Sequence, residues 1–124
     1  MAKKKHRRRP SKAKRADKYD LYQKSVQEPS CDVDFFVRAY KDRNRRRPKL
    51  LREDFCGTFA VCCEWVKTRG RRAIGVDLDP EPLAWGREHN LEALKPTQQA
   101  RVTLLQQDVR VVGGEKADVL AAQN

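Results

Sequence analysis

The chain has 124 residues and a formal net charge of +11, with 39% hydrophobic and 36% charged residues. This length allows one small domain. No stretch approaches the roughly 20 apolar residues that cross a bilayer, and no apolar segment follows the basic start, so we expect neither a membrane span nor a signal peptide.

The first eighteen residues form a basic arm that we expect to be disordered. Nine of the first fifteen residues are Lys or Arg and none is acidic, which favours a polyanionic partner. Because no aromatic side chain is interleaved for base stacking, the arm would hold phosphates without reading sequence. We therefore predict an RNA contact through residues 3–15, against the alternative of an arm that only aids solubility.

Residues 19–48 predict a helical lead-in to the domain. Ser30 or Asp32 would cap a helix that runs to about Asn44. The segment 45–48 would end this helix, since the residue before a proline avoids helical angles. The apolar face of the predicted helix comprises Val33, Phe36, Val37 and Tyr40.

From residue 49 onward, predicted strands alternate with predicted helices. This alternation is typical of a Rossmann-like α/β fold, a doubly wound parallel sheet, here over residues 49–124 with about four strands. Because the last strand has no helix after it, we expect the first half of a larger domain, with a complete small protein as the alternative. The predicted strands are 49–53, 72–77, 101–108 and 117–123, and the predicted helices are 58–70, ended by Gly70, and 80–94, capped by Asp79 and closed by Pro96.

Acidic residues follow three successive predicted strands. Glu53 and Asp54 end the first strand, Asp77 ends the second and Asp108 ends the third. In open parallel sheets, ligands bind beyond these carboxyl ends. Gly57 would let the backbone approach a ligand, and Asp77 follows it by twenty residues, the approximate offset of a ribose-binding acid. The pattern therefore predicts a nucleoside site.

Two ligands commonly occupy this place in a parallel sheet. A nicotinamide dinucleotide brings a pyrophosphate, which favours a glycine-rich turn without nearby carboxylates. Here the turn holds one glycine, and Phe55 and Phe59 stand where small residues would be needed. S-adenosylmethionine carries an ammonium and a sulfonium instead, and acids attract both charges. The residues therefore favour S-adenosylmethionine as the cofactor.

The runs LLREDFCGTFAV, GVDLDP, LLQQDV and ADVLAAQN resemble class I S-adenosylmethionine-dependent methyltransferases, in particular a branch whose first motif reads LREDFCGT. The similarity covers residues 49–124. It implies that Glu53 orients the methionine part of the cofactor and that Asp77 binds the ribose hydroxyls. It also implies that Asp108 bonds the adenine amino group, with Val109 against the ring. The remaining cofactor-binding residues that it implies are Asp54, Phe55, Cys56, Gly57, Thr58, Leu78 and Asn124.

The acids also have ordinary structural alternatives. Glu53 could form a surface ion pair with Arg52 or Arg72, worth about 0–1 kcal/mol. The acids that could instead cap a turn or a helix are Asp54, Asp77, Asp79 and Asp108, with Asp79 also a second candidate for the ribose.

Other polar and aromatic residues are interpreted as structural. Trp65, Trp85, Cys62 and Cys63 are expected in the core, and His89 is expected to be solvated. The cysteines, which lack a CxxC pair and a nearby histidine, predict reduced thiols in a cytoplasmic protein without a metal site. The two cysteines outside the expected core are Cys31 and Cys56. We expect Tyr19 and Tyr22 either to close over the ligand or to anchor the arm.

The sequence thus predicts a Rossmann-like domain that binds S-adenosylmethionine and takes part in methyl transfer by direct displacement at the sulfonium methyl. The residues identify neither a catalytic group nor the acceptor, for which RNA is the first candidate. The alternatives are an NAD(P)-binding oxidoreductase and a truncated, non-catalytic module that binds nucleic acid.

Overall fold

A parallel four-stranded sheet forms the centre of the computed structural model, which describes residues 18–19 and 28–122. All three pairs of neighbouring strands run in parallel, and the strand order is β3–β2–β1–β4. This confirms the predicted Rossmann-like α/β fold with four strands. Of the arm that we expect to be disordered, residues 1–17 lie outside the described residues, whereas Lys18 is helical, so the expectation is wrong at that residue. The strands are β1 (Leu50–Asp54), β2 (Arg72–Val76), β3 (Val102–Leu105) and β4 (Val119–Ala121).

Four short to medium helices flank the described part of the sheet. The first packs against the second, and the second packs on β1 and β2. The third continues directly into a single π-helical segment. The helices are α1 (Pro29–Asn44), α2 (Ala60–Trp65), α3 (Pro80–Gly86) with the π-helix Arg87–Leu91, and α4 (Pro96–Gln99).

Helix α1 ends where the sequence predicts but begins differently. Its N-cap is Glu28, which makes no side-chain capping bond, so the predicted caps Ser30 and Asp32 are wrong and lie in the first turn. Pro29 starts the helix because its missing N–H costs nothing at the first position. At the other end, Arg45 turns the chain in a left-handed conformation (φ 56°). The predicted apolar face packs against the core through Val33, Phe36 and Val37.

The predicted boundaries of two later helices are wrong. Helix α2 stops at Trp65 instead of reaching Gly70. The guanidinium of Arg101 bonds the carbonyl oxygen of Thr68 in the following turn, a long-range contact that local sequence does not reveal. Pro96 begins α4 instead of closing the preceding helix. The predicted cap of α3 is confirmed, because Asp79 Oδ1 accepts the Glu81 N–H at 3.0 Å.

The hydrophobic core lies between α1, α2 and one face of the sheet. Its largest fully buried side chains include Trp65, Phe59 and Leu51. Trp65, Trp85, Cys62 and Cys63 are all buried, which confirms their predicted structural role. None of the described helices is long and apolar enough to cross a membrane.

Close contact at Gly86 joins α3 to the loop that follows β1. A Cβ atom at this position would lie 2.5 Å from the carbonyl oxygen of Thr58 and 2.6 Å from the Phe59 ring. Both distances are far below normal contact, and a backbone oxygen has little room to move. Only glycine therefore lets this helix reach the loop.

We expect the Gly86→Ala substitution to destabilise the protein by about 1–3 kcal/mol, because the added methyl group overpacks the contact. The urea midpoint of unfolding measures the effect. Gly113→Ala is the matched control, since a Cβ there meets no atom within 4 Å, and it should change the stability by less than about 0.5 kcal/mol. Equal midpoints for the two variants would contradict the close packing.

Candidate functional site

The loop after β1 has an unusual backbone. Phe55, Gly57 and Phe59 all adopt left-handed angles, with φ of 56°, 57° and 45°. Glycine adopts such angles readily, whereas a bulky side chain does so at a cost of about 1–2 kcal/mol. Strained residues of this kind concentrate at ligand sites, where the surrounding structure holds them in place.

Hydrogen bonds from β2 hold this loop in position. The Cys56 N–H donates to the carbonyl oxygen of Val76 at 3.0 Å, and the Gly57 N–H donates to Asp77 Oδ2 at 2.8 Å. The Phe59 N–H donates to Cys56 O at 2.8 Å. The loop backbone is therefore tied to the carboxyl end of the neighbouring strand.

Asp77 links three elements through its carboxylate. One oxygen accepts the Gly57 N–H and the other accepts the Asp79 N–H at 3.0 Å. The side chain is half-buried. Asp77 therefore acts only in part as a cap, because its bond to Asp79 N–H is local while its bond to Gly57 N–H reaches back to the loop after β1.

A groove of about 330 Å³ opens at the rim formed by the carboxyl ends of β1, β2 and β3. We call it the carboxyl-rim groove. It combines two carboxylates with three apolar side chains, as a nucleoside with polar edges and an apolar ring face requires. Its lining residues are Phe55, Asp77, Leu78, Gln107, Asp108, Val109 and Arg110.

Asp108 is engaged by Arg110 within this groove. The Arg110 backbone N–H donates to Asp108 Oδ1 at 2.9 Å, and the guanidinium donates to both carboxylate oxygens at 2.6–3.1 Å. These bonds lower the pKa of Asp108 to about 2. Asp108 is thus ionised at neutral pH and already partnered, so a ligand must share it with Arg110. The turn-residue alternative for Asp108 is compatible with this local pairing.

Glu53 lies beneath the loop and does not line the groove. Its side chain is 1% exposed, and its carboxylate accepts the Cys62 thiol hydrogen at 3.3 Å. Burial raises the pKa of Glu53 to about 7, against the lowering effect of the Cys62 bond. The alternative of a surface pair with Arg52 or Arg72 is wrong, because Arg52 pairs with Asp54 and Arg72 with Glu115.

Alternation along β1 separates the two adjacent acids. Successive strand residues point to opposite faces, so Glu53 enters the core while Asp54 points away from it. Asp54 pairs with Arg52 on that second face at 2.7 Å. Asp54 therefore forms an ion pair instead of capping the following turn. Neither Glu53 nor Asp54 lines the carboxyl-rim groove.

Arg52 is a site residue that the sequence analysis missed. Its guanidinium also donates to the carbonyl oxygens of Val109 at 3.0 Å and Val112 at 3.2 Å. It thereby holds the turn after β3, which carries Asp108, against β1. The signal was present in the Arg52–Asp54 spacing of two residues, which places both on one face of a strand.

The other predicted site residues lie in or under the loop. Cys56 and Thr58 are buried, and the Thr58 carbonyl oxygen accepts the Asn90 side-chain amide at 2.8 Å. Burial raises the pKa of the Cys56 thiol, so it stays protonated. Asn124 lies outside the described residues. The groove therefore unites five of the predicted residues, namely Phe55, Asp77, Leu78, Asp108 and Val109.

The aromatic residues near α3 make structural contacts. Tyr19 donates to Glu81 at 3.0 Å, and its ring lies 5.8 Å from that of Trp85, which favours anchoring over closure of the ligand site. His89 is exposed but stacks on Trp85 at 4.2 Å, so the expectation of a merely solvated side chain is incomplete. Tyr22 lies outside the described residues.

Solved methyltransferase structures share this fold. DesVI of Streptomyces venezuelae has a TM-score of 0.67 at 20% identity, covering 89% of this chain and 43% of its own. A SAM-bound amino pentose methyltransferase from Micromonospora echinaspora has a TM-score of 0.63 at 19% identity, covering 96% and 44%. An RNA methyltransferase from Salinibacter ruber with S-adenosyl-L-homocysteine has a TM-score of 0.59 at 22% identity, covering 78% and 60%.

These likenesses show a common fold. The chain spans about two-fifths to three-fifths of the length of the three structures. No protein-family model and no curated protein sequence matches the chain.

The stability of the protein should fall as the pH rises from about 5 to 7, because of Glu53. Its pKa is about 7 in the folded chain against an ordinary value of 4.5, so the folded state holds the proton more tightly and loses this advantage as the group ionises. The change over this pH window amounts to about 2 kcal/mol. Glu53→Gln, which keeps an oxygen for the Cys62 thiol, should remove this pH dependence in urea unfolding.

The exposed Glu115 provides the control for this pH dependence. Its pKa is lowered by the bond to Arg72, so it is ionised throughout this window. Glu115→Gln should therefore keep the slope of the native protein between pH 5 and 7. A Glu53→Gln variant with that same slope would show that Glu53 is not the titrating group.

Arg52→Lys should loosen the turn after β3, because an ammonium cannot span Asp54 and two separate carbonyl oxygens as the guanidinium does. Amide hydrogen exchange over residues 108–113 should speed up about tenfold, as expected for the loss of about 1.4 kcal/mol of local stability. Arg101→Lys, which loses comparable carbonyl bonds at the turn after α2, should leave exchange at 108–113 unchanged.

Proposed function

We propose that this chain is the cofactor-binding part of an S-adenosylmethionine-dependent methyltransferase. The observation that carries the proposal is the carboxyl-rim groove, where Asp77 and Asp108 stand with Phe55, Leu78 and Val109. The fold supports it, since solved structures of this fold include methyltransferases holding S-adenosylmethionine or its demethylated product.

The groove residues fit the adenosine part of this cofactor. Asp77 would accept hydrogen bonds from the ribose hydroxyls, and Asp108 would accept one from the adenine amino group. Each Asp77 oxygen accepts one protein N–H and has two acceptor positions, so ligand bonds can be added there. Asp108 already accepts four bonds from Arg110, so the adenine amino group would replace one of them. Val109 and Leu78 supply the apolar surface for the ring.

The loop after β1 disfavours a dinucleotide. A pyrophosphate requires backbone N–H groups that point at it. In this loop the N–H groups of Cys56, Gly57 and Phe59 already donate to protein oxygens. The loop therefore has few donors left for phosphate, and this supports S-adenosylmethionine over NAD(P).

The methionine part of the cofactor would lie along the loop of residues 55–58. Because Glu53 is buried under this loop, we propose it as a positioning residue that acts through the Cys62 thiol and the loop. When bound, the cofactor supplies an electrophilic methyl group on a sulfonium, which is an intrinsically good leaving group. The chain's own residues would mainly bind, orient and exclude water.

The methyl acceptor would bind at the opening of the carboxyl-rim groove, near the exposed side chains of Phe55 and Leu78. The net charge of +11 favours a polyanion, so we propose RNA as the first candidate acceptor and residues 3–15 as a contact. All four cysteines are free thiols, which supports a reducing, cytoplasmic location.

Asp77→Asn should weaken the binding of S-adenosylhomocysteine at least about tenfold, because charge-assisted bonds to the ribose hydroxyls become neutral ones. Isothermal titration calorimetry measures the affinity. Asp79→Asn is the control, since asparagine caps a helix as well as aspartate does and this side chain serves α3. An unchanged affinity in Asp77→Asn, or tighter binding of NAD than of S-adenosylhomocysteine by the native chain, would overturn the proposal.

A further inference from the structure

A second groove, of about 610 Å³, lies at the opposite rim of the sheet, where the strands begin. It runs between the C-terminal half of α1 and the segment that leads into β4. We call it the amino-rim groove. Its polar and charged lining residues are Tyr40, Arg43, Asn44, Arg46, Lys116 and Asp118.

Positive charge dominates this groove and its edge. The adjoining segment 41–49 contains six Lys or Arg residues and one acid. Among residues 28–122, Arg43 and Lys116 form no ion pair, whereas Arg46 pairs with Asp118 at 3.5 Å. The groove therefore carries unneutralised cations beside a concave surface, an arrangement that attracts polyanions.

Arg46 is held in place by its neighbours. Its guanidinium carbon lies 5.3 Å from the centre of the Tyr40 ring, and its side chain is 61% exposed. Asp118, its acidic partner, accepts the Tyr40 hydroxyl at 3.2 Å and the Lys49 and Leu50 N–H groups at 2.7 and 3.0 Å. The backbone at the start of β1 thus holds Asp118, and Asp118 positions Arg46. The side of the Arg46 guanidinium away from the Tyr40 ring faces solvent.

We propose that the amino-rim groove binds single-stranded RNA. Arg43 and Lys116 would contact phosphates, and a base would stack on the exposed side of Arg46, since RNA-binding proteins use guanidinium planes in this way. The Asn44 amide oxygen would accept a hydrogen bond from a ribose 2′-hydroxyl. The Asn44 amide nitrogen donates to Tyr40 O, while the amide oxygen accepts no bond from the described residues.

The shape of the groove favours a flexible strand over other polyanions. Double-stranded DNA is stiff over about 150 base pairs, and a stiff duplex cannot follow the curved wall of a groove of this size. A membrane surface is broad and cannot enter a groove. A single strand can follow the concave surface and place a base over Arg46.

This site is separate from the proposed cofactor site. β1 spans five residues between the two rims, which corresponds to about 15 Å. RNA at the amino-rim groove would therefore leave the carboxyl-rim groove open. The RNA proposal does not depend on methyl transfer, and its readout is RNA binding alone.

The test is fluorescence anisotropy of a labelled 12-nucleotide oligoadenylate with the full-length chain in 50–200 mM salt. The double variant Arg43→Gln/Lys116→Gln should lose about 25-fold in affinity near 0.1 M salt, and its slope of log affinity against log salt should fall by about 1.4, at 0.7 per lost phosphate contact. The basic segment 3–15 is present in every variant, so its contribution is common to all measurements.

The matched control is Arg69→Gln/Arg87→Gln, which removes the same charge from exposed positions outside the groove. It should keep the slope of the native chain. Equal losses in the two double variants would show that only net charge matters, and an unchanged affinity in the groove variant would place the binding elsewhere. Either result overturns the proposal.

Two further measurements test the stacking and the choice of RNA. Arg46→Lys keeps the charge but removes the guanidinium plane, so affinity should fall about tenfold with the salt slope unchanged. Native affinity in this variant would overturn the stacking role. The choice of RNA is tested with three other ligands: oligodeoxyadenylate, duplex RNA, and vesicles of 30% phosphatidylserine in phosphatidylcholine. If any of them binds the native chain as tightly as the oligoadenylate does, the assignment to single-stranded RNA is overturned.

Discussion

The structure of the candidate site depends on the attachment of one loop to the end of the neighbouring strand. The Gly57 N–H bonds Asp77 and the Cys56 N–H bonds Val76, so the loop after β1 cannot move independently of β2. These bonds hold Phe55 and Phe59 in left-handed angles that bulky residues rarely adopt. The loop is thereby shaped before any ligand arrives, which reduces the ordering cost of binding.

A second constraint comes from the alternation of side chains along β1. Because neighbouring residues face opposite sides, Glu53 bonds Cys62 of α2 on the core side while Arg52 holds the turn after β3 from the other face. One strand thus makes side-chain bonds on both faces of the sheet, and the Arg52 bonds position the wall of the carboxyl-rim groove that carries Asp108. The acids that line the groove follow β2 and β3, and a ligand would share each of them with the protein N–H groups that it already accepts.

The two grooves divide the molecule by function in our proposals. Parallel strands collect their carboxyl ends, with two acids and apolar side chains, at one rim. Their amino ends lie at the other rim, beside Arg43 and Lys116, which form no ion pair within the described part of the chain. This polarity follows from the parallel order of the strands, since an antiparallel sheet would mix the two kinds of end. In our proposals, a cationic nucleoside and an anionic polymer would bind this sheet at rims of opposite charge.

The sequence by itself determined the parallel α/β fold, because alternating strand and helix patterns with short connections have few other solutions. It also determined which strand ends would meet, and so predicted that Asp77 and Asp108 lie at one rim. Phe55, Leu78 and Val109, which the family resemblance implied, line the same groove. Only the tertiary structure decided that Glu53 is buried with the Cys62 thiol as its partner, and that α2 stops at Trp65. The contacts concerned join Glu53 to Cys62 and Arg101 to Thr68, and these residues meet only because the segments that carry them pack together.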